Sequence, residues 1–339
     1  MRAGRLIVAL TLACVPALNA YGQTPPDFYK NKQLRLIVGH AVGNDYDVGA
    51  RLLAKHLPKH IPGQPSIIVQ NMPQAASIVA ANYVYTQAPR DGTVIGTFSR
   101  NFPISALLGG HGIEADPRRF LWLGATSFPG RICAVWHTMP IKTPQDLLTR
   151  DLIVGGTGAG SSLAILPTVF NHVLGTKFRV VEGYRSTQEV ILAAERGEVQ
   201  GLCASLGQFR SYDRLLKEGK LRIIWRAEEA VMPEIPDVPS VYDYAKTEEQ
   251  RQFMRLVFSS VEFGRFYVLP PDAPKERAEL LRRAIAAAVK DPELIAEADK
   301  MKLDMSYRSP EHLERLIAKL YATPPAVIEA VKKLVPNLL

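Results

Sequence analysis

Cysteine is scarce in this sequence, with three residues in 339, and no two of them form a C-x-x-C pair. A disulfide-dense scaffold is excluded, and no histidine stands beside a cysteine to suggest a thiol nucleophile. Aromatic residues make up only 8% of the chain. Runs of five or six like charges are missing as well. The net charge of +8 is spread over singles and pairs such as Arg118-Arg119, Arg282-Arg283 and Lys332-Lys333. Such scatter marks a solvated surface and argues against a nucleic-acid partner, while remaining compatible with small anionic ligands. The apolar run at 6–15 is about half the roughly 20 residues that a bilayer core demands, and no other stretch qualifies as membrane-spanning.

What is present begins with an address. Residues 1–22 combine Arg2 and Arg5, that apolar run, and the small residues Ala20 and Gly22, the pattern of a secretory signal cut near Gly22. Cys133 and Cys203 would then sit in an oxidising compartment; they are expected as two buried free thiols in strands, with a disulfide as the alternative. Strand, loop and helix signals alternate after this. Apolar runs at 34–38, 66–69 and 93–98 are each separated by a helical segment, at 48–57 and 78–87. The pattern restarts at 132–136 and continues through 152–155, 179–182, 199–204 and 221–225, while the chain beyond 270 is mostly helical. This periodicity predicts an α/β fold of mostly parallel sheets with flanking helices. With no flexible linker in view, it predicts two lobes facing a cleft.

The loops carry the chemistry. Gly155-Gly156-Thr157-Gly158-Ala159-Gly160-Ser161-Ser162 follows a strand and opens a helix, so free backbone N–H groups converge there on an anion. Ser161 stands where a Walker A loop needs lysine, the spacing is G-x-G-x-G where a dinucleotide fingerprint needs G-x-G-x-x-G, and G-x-S-x-G is missing. The segment is therefore an anion cradle or a tight turn capped by Ser161. His56 and His60 are four apart, as on a zinc helix, but Pro58 lies between them and no Glu follows His56, so no metal is expected. Glu228-Glu229 and Glu248-Glu249 read as solvated faces. With no catalytic constellation and no cofactor motif, an exported two-lobed chain is a binder before it is an enzyme.

Several segments, taken in order, resemble the Bug-type substrate-binding proteins of tripartite tricarboxylate transporters. Leu36-Ile37-Val38-Gly39-His40-Ala41-Val42-Gly43-Asn44-Asp45-Tyr46-Asp47 is similar to the family's strand, glycine loop and aspartate. Ile68-Val69-Gln70-Asn71-Met72-Pro73-Gln74-Ala75, Ala88-Pro89-Arg90-Asp91-Gly92-Thr93 and Ile235-Pro236-Asp237-Val238-Pro239-Ser240 follow in the family's order. The chain departs from that pattern at Asn44 and Gln74, each in place of a glycine, and at Ala76-Ser77, in place of a Gly-Gly. Near Ala204-Ser205 it lacks an Asp that amino-acid-binding members often have.

The resemblance implies a type II periplasmic binding-protein fold, with lobe one from 24–127 plus 253–339 and lobe two from 128–252. It implies a monomeric receptor that closes on a small organic carboxylate and delivers it to membrane permease subunits. By position, Val42, Gly43, Asn44 and Tyr46 from one lobe and Thr157, Gly158, Ala159, Gly160, Ser161 and Ser162 from the other would grip the ligand, with Asp47 as a structural cap. To these the reading of the chain adds Ser77, as a helix cap with a free hydroxyl, and Ser99, Arg100 and Asn101 beyond the third strand. It also adds Arg131 at the crossover and Arg185 beside a capping box, because an arginine in a cleft suits a carboxylate. The rival functions are a receptor that reports to a sensor protein and an exported hydrolase using the Ser161 loop.

Overall fold

The structure is a computed structural model that describes residues 28–127, 130–157, 161–206, 209, 212–229, 231–232 and 234–334. The expected signal segment lies outside them, as do Gly158, Ala159 and Gly160. No helix among the described residues is long and apolar enough to cross a membrane.

Two five-stranded sheets form the molecule. The first holds β1 (Gln33–Val38), β2 (Ser66–Asn71), β3 (Val94–Thr97), β4 (Leu121–Ala125) and β10 (Phe266–Leu269), in the order β2-β1-β3-β10-β4. The second holds β5 (Arg131–Trp136), β6 (Leu152–Gly155), β7 (Phe178–Val181), β8 (Gly201–Ser205) and β9 (Leu221–Arg226), in the order β7-β6-β8-β5-β9. The two orders match position for position. In each sheet the fourth place belongs to a strand that arrives from the other one, β10 in the first and β5 in the second, and that strand pairs antiparallel with both neighbours. The other strands run parallel. Helices cover the sheets, which is why β3 and β10 are buried throughout and read as unbroken apolar runs. This is the two-lobed α/β architecture expected of the type II binding-protein fold.

The chain crosses between sheets after β4 and again before β10, and the crossings are tied together: Thr126 N–H donates to the Arg265 carbonyl at 3.0 Å. A single helix, Glu248–Phe263, leads into the return crossing; Thr247 and Gln250 form a capping box at its start. Phe258 packs on Phe170 of the second sheet's helix Ser162–Leu174, and Phe263 stacks on Trp122 of β4, both at 5.6 Å between ring centroids. One apolar core cluster accordingly runs from Ile37 and Trp122 to Phe170 and Trp225.

The cysteines correct an expectation. Cys133 on β5 and Cys203 on β8 are joined as a disulfide, with Cα atoms 4.0 Å apart, in place of two free thiols. Gly130 with Leu206 and Trp136 with Gln200 form hydrogen-bonded pairs on this ladder, so by alternation Cys133 and Cys203 form a non-hydrogen-bonded pair, the site where opposed side chains lie closest.

Candidate functional site

Because β1, β2 and β3 are parallel, their C-terminal ends share one edge, the place where open α/β sheets take ligands. The loop after β1 is held from below by Asp47. This buried carboxylate accepts the Gly43 N–H at 2.8 Å, Arg51 Nε at 3.0 Å and Asn71 Nδ2 at 2.9 Å. Burial alone would raise its pKa; hydrogen bonds from Arg51, Gly43 and Asn71 together overcome that and hold it below the usual range. Asp47 is not the N-cap, however. The helix starts at Asp45 with Asn44 as its cap, whose side chain accepts the Tyr46 N–H at 2.9 Å. Asp47, in the first turn, reaches back past the cap to the loop.

Ser77 is corrected in a similar way. It stands at the N-terminal end of the helix Ile78–Thr86 yet makes no capping bond. Fully buried, its hydroxyl donates to the Gly39 carbonyl at 2.7 Å and accepts the Ser99 N–H at 3.0 Å, pinning the loops after β1 and β3 together. Those bonds leave it no free hydroxyl for the cleft. A Cβ at Gly39 would lie 2.5 Å from the Ser77 Cβ, so this approach requires glycine. The turn leading to Ser77 is strained: Ala75, Ala76 and Ser77 all have positive φ (48°, 49° and 80°).

Tyr46 connects the two loops. Its hydroxyl accepts the Arg100 N–H at 3.0 Å, and its ring packs on His40 at 3.9 Å between centroids. His40 Nε2 is buried with no partner among the described residues, and burial, then the Arg100 charge, lowers its pKa. The same Arg100 charge reaches Arg131, the first residue of β5. Enclosure is the larger cause that lowers the Arg131 guanidinium to about 9, Arg100 is the next, and Glu228 opposes them. Among the described residues neither guanidinium forms an ion pair. Glu228 lies beside them and is not on a solvated face. It is 3% exposed, one carboxyl oxygen accepts the Arg131 N–H at 2.5 Å, and the other is buried unpartnered. Burial, opposed by that hydrogen bond and reinforced by the charge of Glu262, raises its pKa to about 8.

At the edge of the second sheet, Ser161 stands at the N-cap of the helix Ser162–Leu174. Its carbonyl accepts the N–H groups of Ala164 and Ile165. Its hydroxyl makes no capping bond, and Oγ is buried without a partner among the described residues. Thr157 is half-buried in the preceding turn. Arg185 does not join them. Its side chain is 90% exposed and pairs with Glu189 at 3.1 Å, one turn along the next helix. Val42 is likewise 72% exposed.

Beside the Arg100 loop lies a cavity of about 520 Å³, bounded by the strained turn at Ala75 and Ala76, by Ser99 and Asn101, and by the walls Phe102 and Leu108. The structure therefore brings Gly43, Asn44, Tyr46, Ser99, Arg100 and Asn101 to one region, with Arg131 within reach of the Arg100 charge; Thr157 and Ser161 occupy the corresponding edge of the other sheet. Chemically, the first region offers unpaired positive charge, an imidazole nitrogen and hydroxyls, which suits an anion. Elsewhere, His56, Asp291 and Glu293 bring donor atoms within 4.8 Å of one another. Lys59 Nζ already lies 2.6 Å from Asp291 and 2.7 Å from Glu293, so the chain's own ammonium occupies that cluster.

The sequence reading misses His40 and Glu228. A lone histidine after a strand carries no signal of its own, although its place in the first glycine loop does suggest the site. Glu228 gives no signal at all beside Glu229, which is exposed and paired with Arg255 at 2.6 Å.

Comparison with known proteins bears on the family and the fold. The chain is 24% identical over 331 residues to a curated protein of Cupriavidus necator, described as a UPF0065 protein in the gbd 5' region, covering 95% of this chain and 92% of that one. Its fold is similar to the crystal structure of a TctC solute-binding protein from Polaromonas without ligand, at a TM-score of 0.68 and 18% identity, over 91% of this chain and 99% of that one. It is also similar to an R. palustris protein solved with adipate, at a TM-score of 0.50 and 19% identity, over 91% and 97% of the two chains. The profile of the tripartite tricarboxylate transporter family receptor matches residues 49–333. The chain belongs to that receptor family.

Proposed function

We propose that this protein is a periplasmic solute receptor. It takes a small organic carboxylate between its two lobes and hands it to the membrane permease of a tripartite tricarboxylate-type transporter. The observation that carries the reading is Arg100, in the loop after β3 that Ser77 and Tyr46 brace against the loop after β1, a guanidinium without an ion pair among the described residues. A cation without a counter-ion at the C-terminal edge of a parallel sheet suits the carboxylate of a ligand. The Ser161 hydroxyl, unpartnered among the described residues at the edge of the other sheet, supplies a neutral donor of the kind such receptors use beside charge. The adipate-bound relative supports the ligand class. The paired crossings at Thr126 and Arg265 are where closure would bend the chain, and ligand that touches both lobes would shift the population toward the closed form.

A thermal-shift screen of refolded, ligand-free protein against organic acids tests this. Ligand at about 100 times its Kd stabilises by about 2.7 kcal/mol, a rise of several degrees. A carboxylate hit that also reduces the radius of gyration is the expected outcome. A cooperatively folded sample that no acid shifts would remove the reading.

A further inference from the structure

We infer that the ligand is an organic acid with one acidic end and an extended apolar body, the acid lying at Arg100 and the body in the 520 Å³ cavity that Ser99 and Asn101 line on either side of it in the chain. This rests on the receptor reading above and narrows it.

Continuity is the first argument. Ser99 and Asn101 both line the cavity, and Arg100 stands between them in the chain, so the charged corner and the cavity are built from one short loop. The Arg100 N–H is fixed on the Tyr46 hydroxyl, and Ser99 N–H on Ser77, so that loop is braced at two successive residues.

Polarity is the second. Phe102 and Leu108 are nearly fully buried and present apolar walls, with Ile78 and Ile113 half-buried beside them. No lysine, arginine, aspartate or glutamate lines this cavity, although 22% of the chain is charged. A compact di- or tricarboxylate that placed its second charge here would lose hydration and meet no lysine or arginine, only the exposed His111 and the polar side chains of Ser99, Asn101 and Ser105. An aromatic ring or alkyl chain meets walls of its own kind. Volume agrees: ligand pockets of roughly 300–1,000 Å³ hold drug-sized molecules, and a four-carbon acid would leave most of this one empty.

The strained turn is the third. Ala75 and Ala76 form part of the cavity's rim in left-handed backbone, a conformation costly for alanine. Methyl groups at these two positions, where the family's pattern has Ala-Gly, add to the apolar surface.

The test compares phenylacetate and octanoate with malate and citrate by calorimetric titration of the ligand-free protein. Ser105 and Ile113 line the cavity without being fully buried, so Ser105→Asp and Ile113→Asn are tolerable in the fold, which circular dichroism checks. Phenylacetate or octanoate binding at least roughly tenfold more tightly than malate and citrate is expected. Ser105→Asp, by placing a carboxylate along the body of the ligand, should weaken that binding at least roughly tenfold, and Arg100→Gln should weaken it for every acid that binds. If malate or citrate binds as tightly as the apolar acids, or if the cavity variants leave phenylacetate and octanoate binding unchanged, this inference is wrong while the receptor reading stands. If none of the four acids binds, and none of the wider panel does, both are wrong.

Discussion

At the scale of single residues, the site is marked by polar atoms that the protein does not satisfy itself. His40 Nε2, Ser161 Oγ and one oxygen of Glu228 are all buried without partners among the described residues. Buried polar groups are ordinarily hydrogen-bonded, and these three, unlike the unpartnered Trp225 Nε1 or Arg277 Nε, lie at the two loop edges and the crossover. Arg100 and Arg131 are legible in the sequence because each adjoins an apolar strand in a position where strand order alone puts it near a cleft. Arg185 has the same local signature but is exposed and paired with Glu189, because no sequence feature tells which way a side chain between strand and helix will turn. Glu228 yields a pH prediction. Its folded pKa is raised to about 8 from an ordinary value of 4.5, chiefly by burial. The folded state therefore holds a proton that the unfolded chain releases, and its stabilising effect is complete below about 4.5 and lost as pH rises through about 8. Glu228→Gln should flatten this part of the stability–pH curve, as measured by urea midpoints across that range. An unchanged slope would mean that the carboxyl is ionised throughout.

At the scale of elements, alternation of apolar runs and caps makes the strands and most helices legible, since a strand covered on both faces must be apolar along its length. The boundaries that carry function are less so. Asp47 has the residue type of an N-cap, but Asn44 also has it and precedes it, and only the fold shows that Asp47 is needed to bind the Gly43 N–H. The turn at 74–77 is hidden for a different reason: alanine and serine do not advertise left-handed backbone as glycine would. That gives the second prediction. Ala76 at φ 49° bears roughly 1–2 kcal/mol of steric cost, and glycine would relieve it while losing about 0.5–1 kcal/mol through a freer unfolded chain. Ala76→Gly should therefore raise stability by about 0.5–1 kcal/mol in chemical denaturation. Ala76→Val should lower it by more than about 1 kcal/mol, because a β-branched side chain tolerates this region worse. A stabilising valine would show that the turn relaxes out of the left-handed region.

At the scale of the whole molecule, strand alternation makes two lobes legible, but not the manner of their coupling. Each sheet is completed by a strand from the other side, and the helix Glu248–Phe263 packs on both, so neither sheet keeps its core if the other is lost. The boundary expected at 252–253 falls inside this helix, whose continuous amphipathic pattern gives no sign of a joint. Such sharing has a thermodynamic consequence. Two lobes joined only by flexible crossings would melt in two steps, whereas lobes with a common apolar cluster melt together. Calorimetry on the ligand-free protein should then show one transition, with calorimetric and van't Hoff enthalpies equal. Phe258→Ala tests the link itself. Removing a ring that is 3% exposed and packed on Phe170 should cost about 3–5 kcal/mol, and because the ring joins the lobes it should also split or broaden the transition. A mutant that loses stability but keeps a single sharp transition would locate the coupling in the exchanged strands and not in the helix. Closure on ligand would then pivot about the paired backbone at Thr126 and Arg265 while the helix rides with one lobe.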